Sequence, residues 1–240
     1  MRATLLYGPG DVRIETVPDP VIQNSTDAIV RIVRACICGS DLHSYHNGPP
    51  GAGPKPMGHE YLGVVEEVGR EVALTVGDFV IAPFVWSDGT CDFCLEGLQT
   101  SCRHGGFYGS NGVGGAQAER IRVPFADGSL VAVPATDDPA MLASLLTLSD
   151  VYGTGYHAAL CGNVTIGSTV TVIGDGAVGL MAVLSAKQLG AERIILMGRH
   201  PARTDLGLEF GATDIVAERG EEGIARVREL TRGDGTECVL

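Results

Sequence analysis

The sequence predicts an α/β protein in two parts, a β-rich first part followed by a doubly wound parallel sheet. Three observations carry that expectation. Hydrophobic residues make up 45% of the 240 residues beside 34 glycines, the balance of a globular, turn-rich chain rather than a disordered one. Up to about Asp150, short β-branched runs are separated by glycine and proline, as in a compact antiparallel or barrel-like domain. Beyond Asp150, strands alternate with helices, the pattern of a parallel sheet covered on both faces. Two domains are therefore expected, at residues 1–150 and 151–240.

In the first part, DAIVRIVRACI (Asp27 to Ile37) and YLGVVEEVG (Tyr61 to Gly69) read as strands, the former with Arg31 and Arg34 among its β-branched residues. HNGPPGAGPKPMG, His46 to Gly58, is a loop by composition. In the second part, the β-branched run Thr169 to Ile173 leads into a glycine turn and a helix. Ala177, Met181 and Leu184 would form the apolar face of that helix, and Gly190 would stop it. A second strand ends at Gly198, followed by a helix near Ala202–Phe210, a strand at Ile215–Val216 and a helix near Glu221–Leu230. The last residues, GTECVL, read as the first half of a fourth strand. Three and a half strands would leave an apolar edge uncovered, so a fragment or a truncated reading frame is expected.

A net charge of −12 argues against a nucleic-acid partner, because phosphate binding needs a positive surface. No apolar run approaches the ~20 residues that span a bilayer. The start, MRATLLYGPGD, lacks the apolar segment of a secretory signal. Seven cysteines in a chain too long to need staples favour a reducing cytoplasm. Cys36, Cys161 and Cys238 are expected to pack as small hydrophobes.

Gly174-Asp-Gly176-Ala177-Val178-Gly179 matches G-x-G-x-x-G, and its place between a strand and a helix is what makes it informative. The first glycine permits the turn, the second lets a pyrophosphate approach, and the third lets helix and strand pack closely. The phosphates would sit on the helix N-terminus. NAD-binding versions carry an acid at the end of the second strand. Here Gly198, Arg199 and His200 stand there, with Arg203 one turn on, so NADP is preferred and NAD is the alternative.

Cys38-Gly-Ser40-Asp41-Leu-His43 and Gly58-His59-Glu60 together offer a cysteine, a histidine and a carboxylate. With an open position for water or substrate, these would make a catalytic zinc site. Each has a plainer reading, as a buried thiol or a histidine satisfied by a carbonyl. A third cysteine group, Cys91, Cys94 and Cys102 in TCDFCLEGLQTSC, has three obvious ligands where tetrahedral structural zinc wants four.

The segments ACICGSDLH, GHEYLGVVEEVG, VGDFV and VTVIGDGAVGLMAVLSAKQLGA, in this order and spacing, resemble the zinc-dependent medium-chain alcohol dehydrogenases, from Met1 to Leu240. The resemblance implies a GroES-like catalytic domain followed by an incomplete Rossmann domain. It implies Cys38 and His59 as catalytic zinc ligands, Asp150 of LSDVYGTGYHAA as the third, and Glu60 as an exchangeable ligand or a neighbour supporting them. Ser40 would take the alcohol proton and pass it through the cofactor ribose toward His43, while Asp41 supports the site. The implied reaction is hydride transfer between a small alcohol or aldehyde and NAD(P), in a homodimer or homotetramer when full length. A noncatalytic zinc-bearing remnant and a zinc-free quinone reductase of the same superfamily are the alternatives. Phe84, Trp86 and Tyr108 are candidates for the substrate pocket, although aromatic residues are more often core. Against the family pattern, the cysteine lobe lacks its third ligand, so Cys91, Cys94 and Cys102 match positions one, two and four. Asp88, His104 or water would have to complete that tetrahedron.

Overall fold

The computed structural model describes residues 1–48, 53–110 and 112–240, so residues 49–52 of the expected His46–Gly58 loop lie outside the described residues. The chain divides into two compact units, Met1–Ser149 and Asp150–Leu240.

The first unit opens with the hairpin β1 (Arg2–Gly8) and β2 (Asp11–Thr16), then β3 (Ala28–Ala35) and helix α1 (Gly39–Asn47). His46 and Asn47 thus end a helix rather than start a loop. Next come β4 (Lys55–Pro56), β5 (Tyr61–Val68), β6 (Phe79–Ala82), β7 (Val85–Trp86), the short helix α2 (Asp92–Leu95) and β8 (Gly106–Phe107). The unit closes with β9 (Arg120–Val123), α3 (Ala126–Ser129), β10 (Val131–Ala132) and α4 (Pro139–Thr147). Its main sheet is antiparallel, in the order β10-β6-β5-β3-β9, beside a three-stranded sheet β2-β1-β4 and the ribbon β7-β8.

Strand β5 runs through the middle with both faces covered. Tyr61 and Val65 join Val30, Val80 and Ile121 in the larger core, while Leu62 packs with Phe79, Ile81 and Leu142 of α4. Gly63 permits that closeness, because a Cβ there would collide with the Arg31 carbonyl oxygen of β3. On the outer face, Arg31 and Arg120 flank Glu66 at 3.1 and 2.7 Å, an exposed cluster that contributes little to stability.

Two buried polar clasps hold the unit together. Asp27 is fully buried, and its Oδ2 accepts hydrogen bonds from the backbone N–H groups of Gln23 and Asn24 and from Arg122 Nη1 at 3.0 Å. Ser149 is the last residue of the unit and is also buried. Its hydroxyl accepts from Tyr61 N at 3.1 Å and donates to the Ala82 carbonyl.

The second unit begins with α5 (Val151–Cys161) and continues β11 (Thr169–Ile173), α6 (Ala177–Gln188), β12 (Arg193–Met197), α7 (Pro201–Phe210), β13 (Asp214–Val216), α8 (Gly220–Leu230) and β14 (Cys238–Val239). Its sheet is wholly parallel in the order β13-β12-β11-β14. The expected apolar face of α6 is corrected: Ala177 is exposed, and Met181 and Leu184 are only half-buried. The buried residues are Leu180, Ala182, Val183, Ser185 and Ala186. Helix α6 packs on the sheet and also on α5 and α7, so its burial follows no single stripe. Gly155 of α5 makes the helix contact possible, since a Cβ there would lie 2.6 Å from Ala182 N. Gly190 ends α6 with φ +96°, as its place in the sequence predicts. Of the three cysteines expected to pack as hydrophobes, Cys238 joins this core, Cys161 is exposed, and Cys36 hydrogen-bonds.

Replacing Arg122 with alanine would strand the Asp27 carboxylate in the core. Equilibrium denaturation of Arg122→Ala should show a loss of about 3–5 kcal/mol. A loss below about 1 kcal/mol would mean that the two backbone donors alone satisfy Asp27.

Candidate functional site

Cys38 lies just before α1, where the helix start fixes it. Its backbone N–H donates to Asp41 Oδ2 at 3.0 Å, and Gln117 Nε2 donates to the same oxygen at 3.1 Å. His59 and Glu60 precede β5, and the chain reaches them through Gly58 at φ +90°. A Cβ on Gly58 would lie 2.6 Å from Gln117 Cγ and 2.7 Å from Gln117 N, so only glycine fits.

Cys38, His59 and Glu60 each offer one ligand atom, and these atoms lie within 4.8 Å of one another. Around His59, Nδ1 stands 3.7 Å from Asp41 Oδ1, and Nε2 stands 3.4 Å from Ser40 Oγ and 3.8 Å from Glu60 Oε1. Glu60 is 2% exposed; its Oε2 accepts the Cys36 thiol hydrogen at 2.9 Å, and its Oε1 is buried without a hydrogen-bond partner. A buried carboxylate oxygen left without a donor, beside a thiol and an imidazole, is what a divalent cation would complete. Burial pushes the Cys36 thiol up, helped by its bond to Glu60, and burial likewise raises Cys38 against the opposing bonds from Ser40. A bound cation would instead favour the Cys38 thiolate.

Asp150 caps α5 and accepts a hydrogen bond from Thr154 Oγ1 at 2.8 Å. It follows Ser149 directly, whose hydroxyl is tied to the backbone of Tyr61, two residues after His59. His43 is exposed one turn along α1 from Ser40, with Asn47 Nδ2 3.5 Å from its Nδ1.

A cavity of about 230 Å³ opens beside Ser40 and His59, and its lining includes Met57, Phe107, Tyr108 and Lys55. Of the three aromatic candidates, Tyr108 reaches this cavity, Trp86 belongs to the core, and Phe84 packs on Phe107 at 6.1 Å between ring centroids. Sequence reasoning missed Phe107 and Gln117, which no motif marks, and it took Cys36, inside ACICGSDLH, for a packing residue; their importance comes from contacts between distant parts of the chain.

In the cysteine lobe, Asp88, Cys91, Cys94 and Cys102 also bring four ligand atoms within 4.8 Å of one another. Cys91 Sγ is 3.6 Å from Cys94 Sγ and 3.9 Å from Cys102 Sγ. These are not disulfide distances, and a tetrahedral zinc with ~2.3 Å arms separates its sulfurs by about 3.8 Å. His104 stands behind Asp88 rather than in the cluster, with Nδ1 2.6 Å from Asp88 Oδ2. Together with the Cys91 and Thr90 N–H groups, that contact holds the Asp88 carboxyl well below the usual range. A hydrogen bond to the Arg103 backbone lowers the Cys91 thiol, whereas burial raises Cys94.

The glycine turn of the second unit performs the steric roles its pattern predicts. Gly174 has φ +116° and donates to the Met197 carbonyl, Gly176 caps α6, and a Cβ on Gly179 would collide with the Gly174 oxygen. Ala177 and Val178 are exposed in the first turn of α6. Beyond β12, Arg199, His200 and Arg203 are exposed, but two of them lean on a group the sequence reading passed over. Asp175, between the first two glycines, is 5% exposed and accepts from Arg199 N at 2.8 Å and His200 N at 2.9 Å. His200 Nδ1 lies 2.9 Å from Asp175 Oδ2, and Arg203 Nη1 lies 3.8 Å from Oδ1. The signal was present, since an acid inside a turn meant for phosphate is out of place unless something holds it.

Residues 24–135 match the family profile described as alcohol dehydrogenase GroES-like domain, and residues 177–240 match zinc-binding dehydrogenase. The chain is 34% identical to zinc-type alcohol dehydrogenase B of Aspergillus flavus over 250 aligned residues, covering 100% of this chain and 57% of that protein. The chain thus spans little more than half of that relative's length. Among solved structures, alcohol dehydrogenase TADH from Thermus sp. ATN1 superposes with a TM-score of 0.89 at 37% identity, covering 100% of this chain and 69% of that one. A structure described as a zinc-binding dehydrogenase from Sinorhizobium meliloti 1021, bound to NADP, gives 0.73 at 30% identity, covering 90% of this chain and 61% of that one.

Burial raises the Asp175 carboxyl, but the His200 and Arg199 donors more than offset this and bring it down to about 2. Because the folded value lies below the unfolded ~3.9, the stabilisation is complete above about pH 5 and lost as pH falls toward 2. Denaturation of the native chain and of Asp175→Asn across that window should therefore give stability curves that converge in acid. Parallel curves would mean that Asp175 is not held as an ion.

Proposed function

The chain belongs to the zinc-dependent medium-chain alcohol dehydrogenase family, and we propose that the intact protein transfers a hydride between a small alcohol or aldehyde and a nicotinamide cofactor, NADP in preference to NAD. The observation that carries the reading is the orphaned Glu60 Oε1, buried beside Cys38 and His59 near the head of a cavity. Cys38, His59 and Asp150 are the protein ligands, and Glu60 is held at hand by Cys36 to stand in when a ligand position opens. The Ser149 clasp supports the choice of Asp150, since it fixes the preceding peptide against Tyr61. Zinc, when bound, supplies a Lewis acid that lowers the pKa of an alcohol oxygen toward neutrality.

The remaining steps fall to the chain's own atoms. Ser40 Oγ, 3.4 Å from His59 Nε2, would accept the alcohol proton while releasing its own hydroxyl proton, which is relayed toward His43, exposed on the next turn of α1, and so to solvent. Phe107, Met57 and Tyr108 give the substrate apolar walls, and about 230 Å³ suits a small molecule rather than a polymer. In the second unit, Gly174, Gly176, Ala177, Val178 and Gly179 present the α6 N-terminus to the pyrophosphate. Gly198, Arg199, His200 and Arg203 accommodate the adenosine 2′-phosphate. The cysteine lobe holds a second, structural zinc through Cys91, Cys94, Cys102 and Asp88.

Metal analysis tests both sites together. The native chain should carry about two zinc ions, and Cys38→Ser and Cys102→Ser should each remove about one. An unchanged metal content in Cys38→Ser would sink the catalytic assignment, and an unchanged content in Cys102→Ser would sink the structural one. Cofactor choice is read by comparing NADPH with NADH binding, where tighter NADH binding refutes the NADP reading.

A further inference from the structure

We propose that Asp175 is a positioning residue for cofactor choice: its buried carboxylate braces the Arg199–Arg203 turn from behind, leaving the Arg199 guanidinium for a 2′-phosphate. This rests on the reading of the cofactor as NADP. An acid beside a phosphate-binding turn would ordinarily repel the ligand or hold the ribose hydroxyls. Asp175 is placed to do neither.

Bound donors and burial keep it from both roles. Oδ2 receives Arg199 N at 2.8 Å, His200 N at 2.9 Å and His200 Nδ1 at 2.9 Å, while Oδ1 faces the same imidazole nitrogen at 3.0 Å and Arg203 Nη1 at 3.8 Å. Oδ2 is thus fully engaged, while Oδ1 only shares the imidazole N–H and has Arg203 beyond hydrogen-bond distance, so burial is what keeps ribose hydroxyls from it. The Arg203 charge lies on the same side, and the residue is 5% exposed.

Gly198 completes the case. A Cβ there would lie 2.6 Å from Asp175 Cβ and 2.8 Å from Asp175 Oδ2. A side chain at the end of β12 is therefore barred while Asp175 keeps its place. An acid there, the usual holder of ribose hydroxyls, would meet steric overlap and a like charge at once. Asp175 thus acts twice, keeping the strand end bare and pinning the two backbone N–H groups that aim the following side chains. Arg199 makes no ion pair among the described residues and is exposed, so its charge is available to a ligand.

The test uses this chain with two fragments of the cofactor, adenosine 2′,5′-bisphosphate and 5′-AMP, which call only on the adenosine side of the sheet. The native chain should prefer the bisphosphate. Asp175→Asn should weaken the bisphosphate about tenfold while 5′-AMP binding stays within about twofold, and Arg199→Ala should show the same loss of preference. Gly198→Ala pushes on Asp175 without removing it, and it serves as the second variant should Asp175→Asn not fold. Retained preference in these Asp175 and Gly198 variants, or an equal loss for both fragments, overturns the positioning role while leaving the NADP reading intact. A native chain with no preference for the bisphosphate overturns the NADP reading, and the positioning role with it.

Discussion

A carboxylate taken out of water has to be given donors or a cation, and three of them organise this molecule. Asp27 is answered within the first sheet by Arg122 and two backbone N–H groups, which ties the entry to β3 against β9. Asp175 is answered by the turn after β12, which it thereby shapes. Glu60 is answered only in part, by the Cys36 thiol, and its second oxygen has no donor. Asp27 Oδ1 is also buried without a donor, but Arg122 meets the charge through Oδ2, and Asp175 is bonded through both oxygens, so these two read as architecture. Glu60 has no arginine or lysine partner among the described residues, and a buried half-satisfied carboxylate is costly unless a ligand finishes it. That contrast separates a stabilising acid from a functional one more sharply than burial does, since all three are nearly inaccessible.

The same economy of space governs the glycines that matter. Gly58 lets the chain turn beneath Gln117, which then reaches Asp41 and so supports the start of α1 near Cys38. Gly179 lets α6 approach the turn that precedes it, and Gly198 leaves room for the Asp175 carboxylate. In each case a missing Cβ brings a backbone segment close to a polar group that the site depends on. A bulkier residue would be tolerated at an open position such as Gly176, where a Cβ would meet nothing within 4 Å. The tightness of the glycine turn is therefore uneven, with the third glycine strictly steric and the second left open on the side where a pyrophosphate would approach.

Much of the second unit was legible in the sequence, because local signals and tertiary demands agree there. The Thr169–Ile173 strand, the glycine turn, the Gly190 stop and a strand at Cys238–Val239 all stand where the pattern places them. The buried face of α6 was not legible, since a helix packed on several neighbours has no single stripe to display. In the first unit the motifs flag Cys38 and the His59–Glu60 pair but say nothing of how they are held. Cys36 resembles any small buried residue until its thiol is seen on Glu60, and Gln117 lies 58 positions beyond His59 with no motif around it. Long-range pairing across a sheet leaves no local trace, so supporting residues are harder to read than ligands.

The cysteine lobe carries this reasoning furthest. Three cysteines suffice for geometry, because their sulfurs already stand close to the spacing that tetrahedral zinc imposes. What three cysteines lack is a fourth anionic donor, and Asp88 would restore the charge if not the softness of sulfur. Its oxygens are fixed by the Thr90 and Cys91 N–H groups on one side and by His104 on the other, so little orientational freedom is left to lose on binding. His104 is not among the residues whose ligand atoms converge here, and it acts through the carboxylate it orients. With zinc bound, the lobe would depart from a four-cysteine pattern by taking one donor from the N-terminal side of the first cysteine, where Asp88 already lies within 4.8 Å of the sulfurs.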